Sequence, residues 1–184
     1  NKKIQINNND SVFMNLNLIP NIKVDSFSKQ VANSKLLNSM DTKGWIAASW
    51  TKFSVKNLQN TNFNVTQGSR SLFVDIATEK PSEVILQYNY SIQPNSVGRS
   101  KIFFADVFWD SSDEAFISLA FQNGPNWKWM ETNSVELKKG LNKNVLFHFP
   151  SDEILNDIKV LNIKFWLPNE TTIGEAYIDN LRYY

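Results

Sequence analysis

Lys101-Ile102-Phe103-Phe104-Ala105-Asp106-Val107-Phe108-Trp109 decides the fold. Side chains of an extended chain alternate sides, so Phe103, Ala105, Val107 and Trp109 share one face, while Asp106 lies between Phe104 and Phe108 on the other. Residues 71–77 repeat the pattern with Leu72, Val74 and Ile76 together, and further short alternating runs fall at 83–90, 116–122, 127–132, 144–149, 160–167 and 176–183. Gln67-Gly68-Ser69, Gln93-Pro94-Asn95, Asn123-Gly124-Pro125-Asn126 and Lys139-Gly140-Leu141-Asn142 separate them with residues that reach positive φ or fix φ, which is turn chemistry. Eight or more such strands predict an all-β fold, a two-sheet antiparallel β-sandwich of the jelly-roll kind. One helical turn is predicted over 151–159, with Ser151 or Asp152 as N-cap and Glu153 in its first turn.

The chain has 184 residues, 42% of them hydrophobic, enough for one domain with a real core. We divide it into a polar lead-in or linker at 1–21 and the sandwich at 22–184. With 19 basic and 18 acidic residues the net charge is +1, which leaves no electrostatic footprint for nucleic acid or an anionic membrane. No apolar run approaches the roughly 20 residues that cross a bilayer. Residues 1–10 lack the charged-then-apolar pattern of a signal peptide, so the expectation is a soluble domain with any leader removed. The absence of cysteine suits an exported protein and a cytosolic one equally.

Several segments, in order, resemble the β-sandwich carbohydrate-binding modules appended to bacterial glycoside hydrolases: Val24-Asp25-Ser26-Phe27, Gly44-Trp45, Val65-Thr66-Gln67-Gly68-Ser69-Arg70-Ser71-Leu72, Val135-Glu136-Leu137-Lys138-Lys139-Gly140, and the closing Ala176-Tyr177-Ile178-Asp179-Asn180-Leu181-Arg182. The closing motif is similar to that of mannan-binding family twenty-seven and its β-glucan- and xylan-binding relatives. The resemblance implies a non-catalytic module that binds a neutral β-linked polysaccharide or oligosaccharide (mannan, glucan or xylan) and targets a catalytic domain on the same parent chain. It also implies a secreted or extracellular location, attached to the cell surface or not. In such modules an acidic residue of the first strand and the closing-strand Asp often hold a structural calcium ion, which implies a first strand at Val24-Asp25-Ser26-Phe27 and, as the ion's carboxylates, Asp25 and Asp179 here. The alternative is that both merely tie strand ends to backbone. Calcium needs six to eight oxygen ligands, so two carboxylates would require carbonyls and water besides.

Six Trp and five Tyr offer flat plates for the C–H face of a sugar, and aromatics are equally core material. Parity sorts them. Leu161, Ile163 and Phe165 point one way and Asn162, Lys164 and Trp166 the other; Ile117, Leu119 and Phe121 oppose Ser118, Ala120 and Gln122; Val145, Phe147 and Phe149 oppose Leu146 and His148. If these strands share a sheet, its outward face carries Gln122, His148, Asn162, Lys164 and Trp166, which is either a hydroxyl-gripping surface or an ordinary solvated face. Trp127 and Trp129, read as one strand, project on one side about 6.8 Å apart, as a platform or as a core plug. Trp50 is a ligand candidate because Phe53 and Val55 take the core parity. Trp45 reads as core and Trp109 as core or rim.

Enzymatic readings find little support. One histidine and no cysteine exclude clustered zinc sites and a thiol nucleophile, and no nucleophile-elbow or nucleotide motif is present. A jelly-roll glycoside hydrolase needs two carboxylates roughly 5 to 9.5 Å apart across a cleft. Glu83 and Glu131 lie in predicted strands with no identifiable partner, and Asp106 reads as a hydrogen-bonded structural residue. A jelly-roll hydrolase or lyase and a cell-surface adhesion domain remain the alternatives, since fold does not fix function.

Overall fold

The structure is a computed structural model that describes residues 24–89, 97–150 and 154–184; the lead-in at 1–21 lies outside them. A helix α1 (Val24–Asn33) precedes twelve strands: β1 (Lys35–Asn38), β2 (Trp45–Ala47), β3 (Val55–Thr61), β4 (Ser71–Thr78), β5 (Ser82–Asn89), β6 (Ile102–Trp109), β7 (Ala115–Asn123), β8 (Lys128–Glu131), β9 (Val135–Leu137), β10 (Gly140–His148), β11 (Ile158–Leu167) and β12 (Thr172–Tyr183). A 3-10 turn covers Lys52–Ser54. The first sheet runs β10-β6-β12-β4-β3 with β1 also on β12, and the second runs β2-β5-β11-β7-β8 with β9 also on β7. Every pairing is antiparallel, and the sandwich expected from alternation is the fold observed.

The alternating apolar residues meet between the sheets as expected. Leu72, Val74, Ile76, Phe103, Val107 and Trp109 from the first sheet pack on Leu119, Phe121, Leu161, Ile163 and Phe165 from the second. Phe103 lies 5.0 Å from Phe121 and Trp109 stacks at 6.5 Å on Phe165, centroid to centroid. Gly174 makes room for Trp109: a Cβ there would lie 2.5 Å from the indole.

Two expectations fail at the ends of the domain. Residues 24–27 begin α1 instead of a strand. Phe27 and Val31, one helical turn apart, pack on Phe104, Leu146 and Ile102 of the first sheet's outer face. The predicted helical turn at 151–159 does not form across its described part. Leu155 bridges Gly98 and Ile158 already pairs with Asn123 in β11; pairing supplies backbone partners that an isolated turn, costly to nucleate, cannot match.

Candidate functional site

Alternation in the second sheet sends Glu83, Ile85 and Gln87 (β5), Asn162, Lys164 and Trp166 (β11), Ser118, Ala120 and Gln122 (β7), and Trp129 and Glu131 (β8) outward. Register brings them together: Lys164 lies opposite both Ile85 and Ser118, Trp166 opposite Glu83 and Phe116, and Trp129 opposite Gln122. The two indoles are six residues and two strands apart, about 20 Å along the strands and about 10 Å across. Trp166 is 39% exposed and Trp129 38%, so both residues are partly open to solvent.

Between the plates lies a charge cluster. Lys164 Nζ sits 3.0 Å from Glu83 Oε1 and 2.9 Å from Glu131 Oε1. Ser118 Oγ donates to Glu131 Oε1 at 2.7 Å and Trp129 Nε1 to Glu131 Oε2 at 3.2 Å. Burial alone would push the Glu131 carboxyl up, but Lys164, Ser118 and Trp129 outweigh it and hold it below the ordinary value. Burial pulls Lys164 down, and its bonds to Glu131 and Glu83 raise it on balance. Beside the cluster Gln87 Nε2 donates to Asn162 Oδ1 at 3.0 Å, and Asn162 Nδ2 to Ala120 O at 3.2 Å. The face is thus hydrogen-bonded, with one ammonium set between two carboxylates. Glu83 and Glu131, which sequence reading left without partners, are each other's facing carboxylates, with an ammonium between them.

The remaining candidates divide. Trp50 stands 56% exposed in the turn that docks on the β5 edge, where Ala48 N and Thr51 Oγ1 donate to Ile85 O at 2.8 and 3.4 Å. Phe53, expected in the core, is 67% exposed because the 3-10 turn interrupts the strand parity. Trp127 is not in β8; it has a left-handed φ of 53° at the hairpin turn, so the two-apart argument for Trp127 and Trp129 does not hold, although Trp127 is 56% exposed. His148 belongs to β10 in the first sheet, opposite Ile102, and is not on the face with Gln122 and Trp166. Burial, then the charge of Lys101, lowers its pKa. Trp45 and Trp109 are core, 7% and 0% exposed.

Asp179 faces outward from the first sheet, directly across from Asp106. Its Oδ2 accepts from Thr66 N at 2.6 Å and Gln67 N at 2.8 Å, and its Oδ1 from Asn180 N at 2.7 Å. Asp106 accepts from Asn144 N at 2.7 Å and Asn180 Nδ2 at 3.0 Å. The Thr66 hydroxyl lies 2.8 Å from Asp106 Oδ2 and 3.1 Å from Asp179 Oδ2, with one proton to give. Burial pushes the Asp179 carboxyl up against the pull of the amides. Asn144 and Asn180, both at φ 54°, are β-bulge residues, so Asp106 pins a bulge on each neighbouring strand while Asp179 pins the 62–70 loop. This donor set does not fit calcium: the oxygens a cation would take already face N–H groups, and among the described residues no three His, Asp or Glu side chains converge. Asp25 lies on α1 instead of a strand, and its side chain is outside the described residues.

No protein-family model and no curated protein matches the sequence. Solved structures match in fold. A family 28 carbohydrate-binding module specific for non-crystalline cellulose aligns with TM-score 0.58 at 20% identity, covering 76% of this chain and 87% of that one. A family 11 module from Clostridium thermocellum, in complex with a β-1,3-1,4-mixed-linked tetrasaccharide, gives 0.54 at 13% identity over 82% and 94%. An exo-β-agarase gives 0.57 at 10% identity over 81% of this chain and 24% of its own, so the chain spans about a quarter of that enzyme. The chain has the β-sandwich fold that these carbohydrate-binding modules share.

Proposed function

We propose that this domain is a non-catalytic carbohydrate-binding module that lays a neutral β-linked polysaccharide along the outer face of the second sheet. The carrying observation is the pair of half-exposed indoles, Trp166 and Trp129, at opposite ends of an open, hydrogen-bonded sheet face. Each indole is a plate for the C–H face of a sugar ring, and the span between them accommodates several rings. Gln122 beside Trp129 and the Glu83–Lys164–Glu131 cluster present donors and acceptors to hydroxyls. Trp50 flanks the face at the β5 edge and Trp127 at the hairpin turn.

The same cluster argues against hydrolysis. A glycosidase needs one carboxyl held protonated as general acid and room for the scissile bond between the pair. Here Glu131 is held ionised and Lys164 occupies the gap. The carbohydrates named for the family 28 and family 11 modules, non-crystalline cellulose and a β-1,3-1,4-mixed-linked tetrasaccharide, support a β-glucan-type ligand. The partial coverage of the agarase supports an accessory role beside a catalytic domain on a longer parent chain, working outside the cell where polymeric substrate is met.

Affinity electrophoresis against soluble mannan, xylan and β-glucans tests the reading. Retardation by at least one neutral polymer, lost in Trp166→Ala with the fold intact, is the expected result. No retardation by any polymer would move the adhesion reading ahead, and release of reducing ends abolished by Glu131→Gln would favour the hydrolase.

A further inference from the structure

At the Trp166 end of this face the sandwich opens into a cleft of about 470 Å3, walled by the 3-10 turn, the start of β3 and the β4–β5 hairpin. Its position follows from register. Ser82 lines it and pairs with Leu167, one step from the Glu83–Trp166 pair, so the cleft continues the glycan face around the sheet edge.

Two features define its chemistry. Phe53 presents a ring that is 67% exposed. Lys56, thrown off the strand alternation by the bulge between Val55 and Asn57, and Lys80 face the same space as Glu79; neither lysine has an ion-pair partner among the described residues. A ring-stacking plate and two ammonium groups against one carboxylate together fit a sugar that carries an acid.

We propose that this cleft is a subsite for a uronic-acid residue, a branch or end of the polysaccharide whose main chain lies on the Trp166 face; the assignment rests on that glycan-binding reading. The ring packs on Phe53 and the carboxylate lies between Lys56 and Lys80. The preferred polymer is then a neutral chain bearing acidic sugars, and the cleft adds a salt-sensitive increment to a binding that is otherwise salt-insensitive.

The test is an NMR titration of the isotope-labelled chain with sodium glucuronate, with methyl β-glucoside and sodium acetate as controls at matched ionic strength. Glucuronate should shift the amides of Phe53, Lys56, Thr78 and Lys80 while neither control does so comparably, and the Lys56→Ala/Lys80→Ala double variant should weaken its binding roughly tenfold. Absence of those shifts, equal shifts with acetate, or an undiminished response in the double variant overturns the proposal. Trp166→Ala should leave the glucuronate shifts in place while abolishing retardation by neutral polymer. Failure of the sheet-face reading alone would therefore show as glucuronate binding without any polymer binding.

Discussion

The outer faces of the two sheets are made of the same kind of alternating strand and end in opposite states. On the first sheet, α1 covers Phe104 and Leu146, while the 62–70 loop comes down onto Asp179 and Asp106, leaving these outward-facing carboxylates only 1% and 2% exposed. Asp41 holds the far end of that loop through Ser69 N at 2.8 Å and Arg70 N at 2.7 Å. Gly68, at φ 75°, lies so close that a Cβ would come 2.4 Å from Asp41 Oδ2. On the second sheet Trp166 and Trp129 stay 39% and 38% exposed, and the carboxylates Glu83 and Glu131 are tied to Lys164 on the same outer face. Carboxylates that capture backbone amides fasten a loop over a sheet; carboxylates that pair with a neighbouring strand's lysine leave the sheet open to a ligand.

The sharpest way to break this contrast is to remove Asp106. Asp106→Ala strips acceptors from Asn144 N, Asn180 Nδ2 and the Thr66 hydroxyl, and orphaned buried donors should cost about 3 kcal/mol of stability. A large fall in Tm is expected, with polysaccharide affinity retained at temperatures where the variant is folded. Lost affinity at such temperatures would mean that the first sheet's face takes part in binding.

Trp166→Ala should do the reverse. It should cost about 2 kcal/mol of binding, the scale of an aromatic hot spot, with Tm nearly unchanged. Trp129→Ala should behave alike, whereas Trp109→Ala should cost about 3 to 5 kcal/mol of stability as a core deletion. Calorimetric titration with the best polymer from the panel, alongside thermal melts, separates the two outcomes; a Trp166 variant that unfolds would make it a structural residue.

A smaller effect is expected from the Lys164 cluster. Lys164→Met should cost about 1 kcal/mol, as for a half-exposed pair, and reduce sugar affinity by disordering Glu131. The pH dependence follows from the shifts. Glu131 is depressed below the usual 4.5, so its contribution is present above that value and is lost as pH falls through the depressed pKa. Lys164 is raised above the usual 10.5, so its contribution is full below that value and is lost as pH rises through the raised pKa. Affinity should be flat across neutral pH and decline in acid below 4.5 and in alkali above 10.5; a midpoint near pH 6 to 7 in a binding-versus-pH curve would contradict the cluster.

The smallest expected effect is none. Thorough chelation followed by added calcium should leave Tm unchanged, because Asp179 already spends its oxygens on Thr66, Gln67 and Asn180. An upward shift on adding calcium would place a cation on the folded state and revive Asp179, with or without Asp25, as its ligand.

Parity along each strand was legible in the sequence. Alternation in 71–77, 101–109, 116–122 and 160–167 assigned the core correctly and put Trp166, Gln122 and Lys164 outward, because the two-residue period is a property of the extended backbone alone. The helix α1 was missed, because the early acidic motif drew residues 24–27 toward a strand. Which strands are neighbours was not legible, since antiparallel pairing in a sandwich joins residues far apart in the chain. Lys164 meets Glu83 across 81 positions and Glu131 across 33, and only the register of β5, β11, β7 and β8 makes them one cluster. For the same reason His148 had the right parity and the wrong sheet. Local chemistry fixed which side each side chain faces; the tertiary fold decided what stands beside it and what covers it, because burial of an outward face depends on where a distant helix or loop comes to rest.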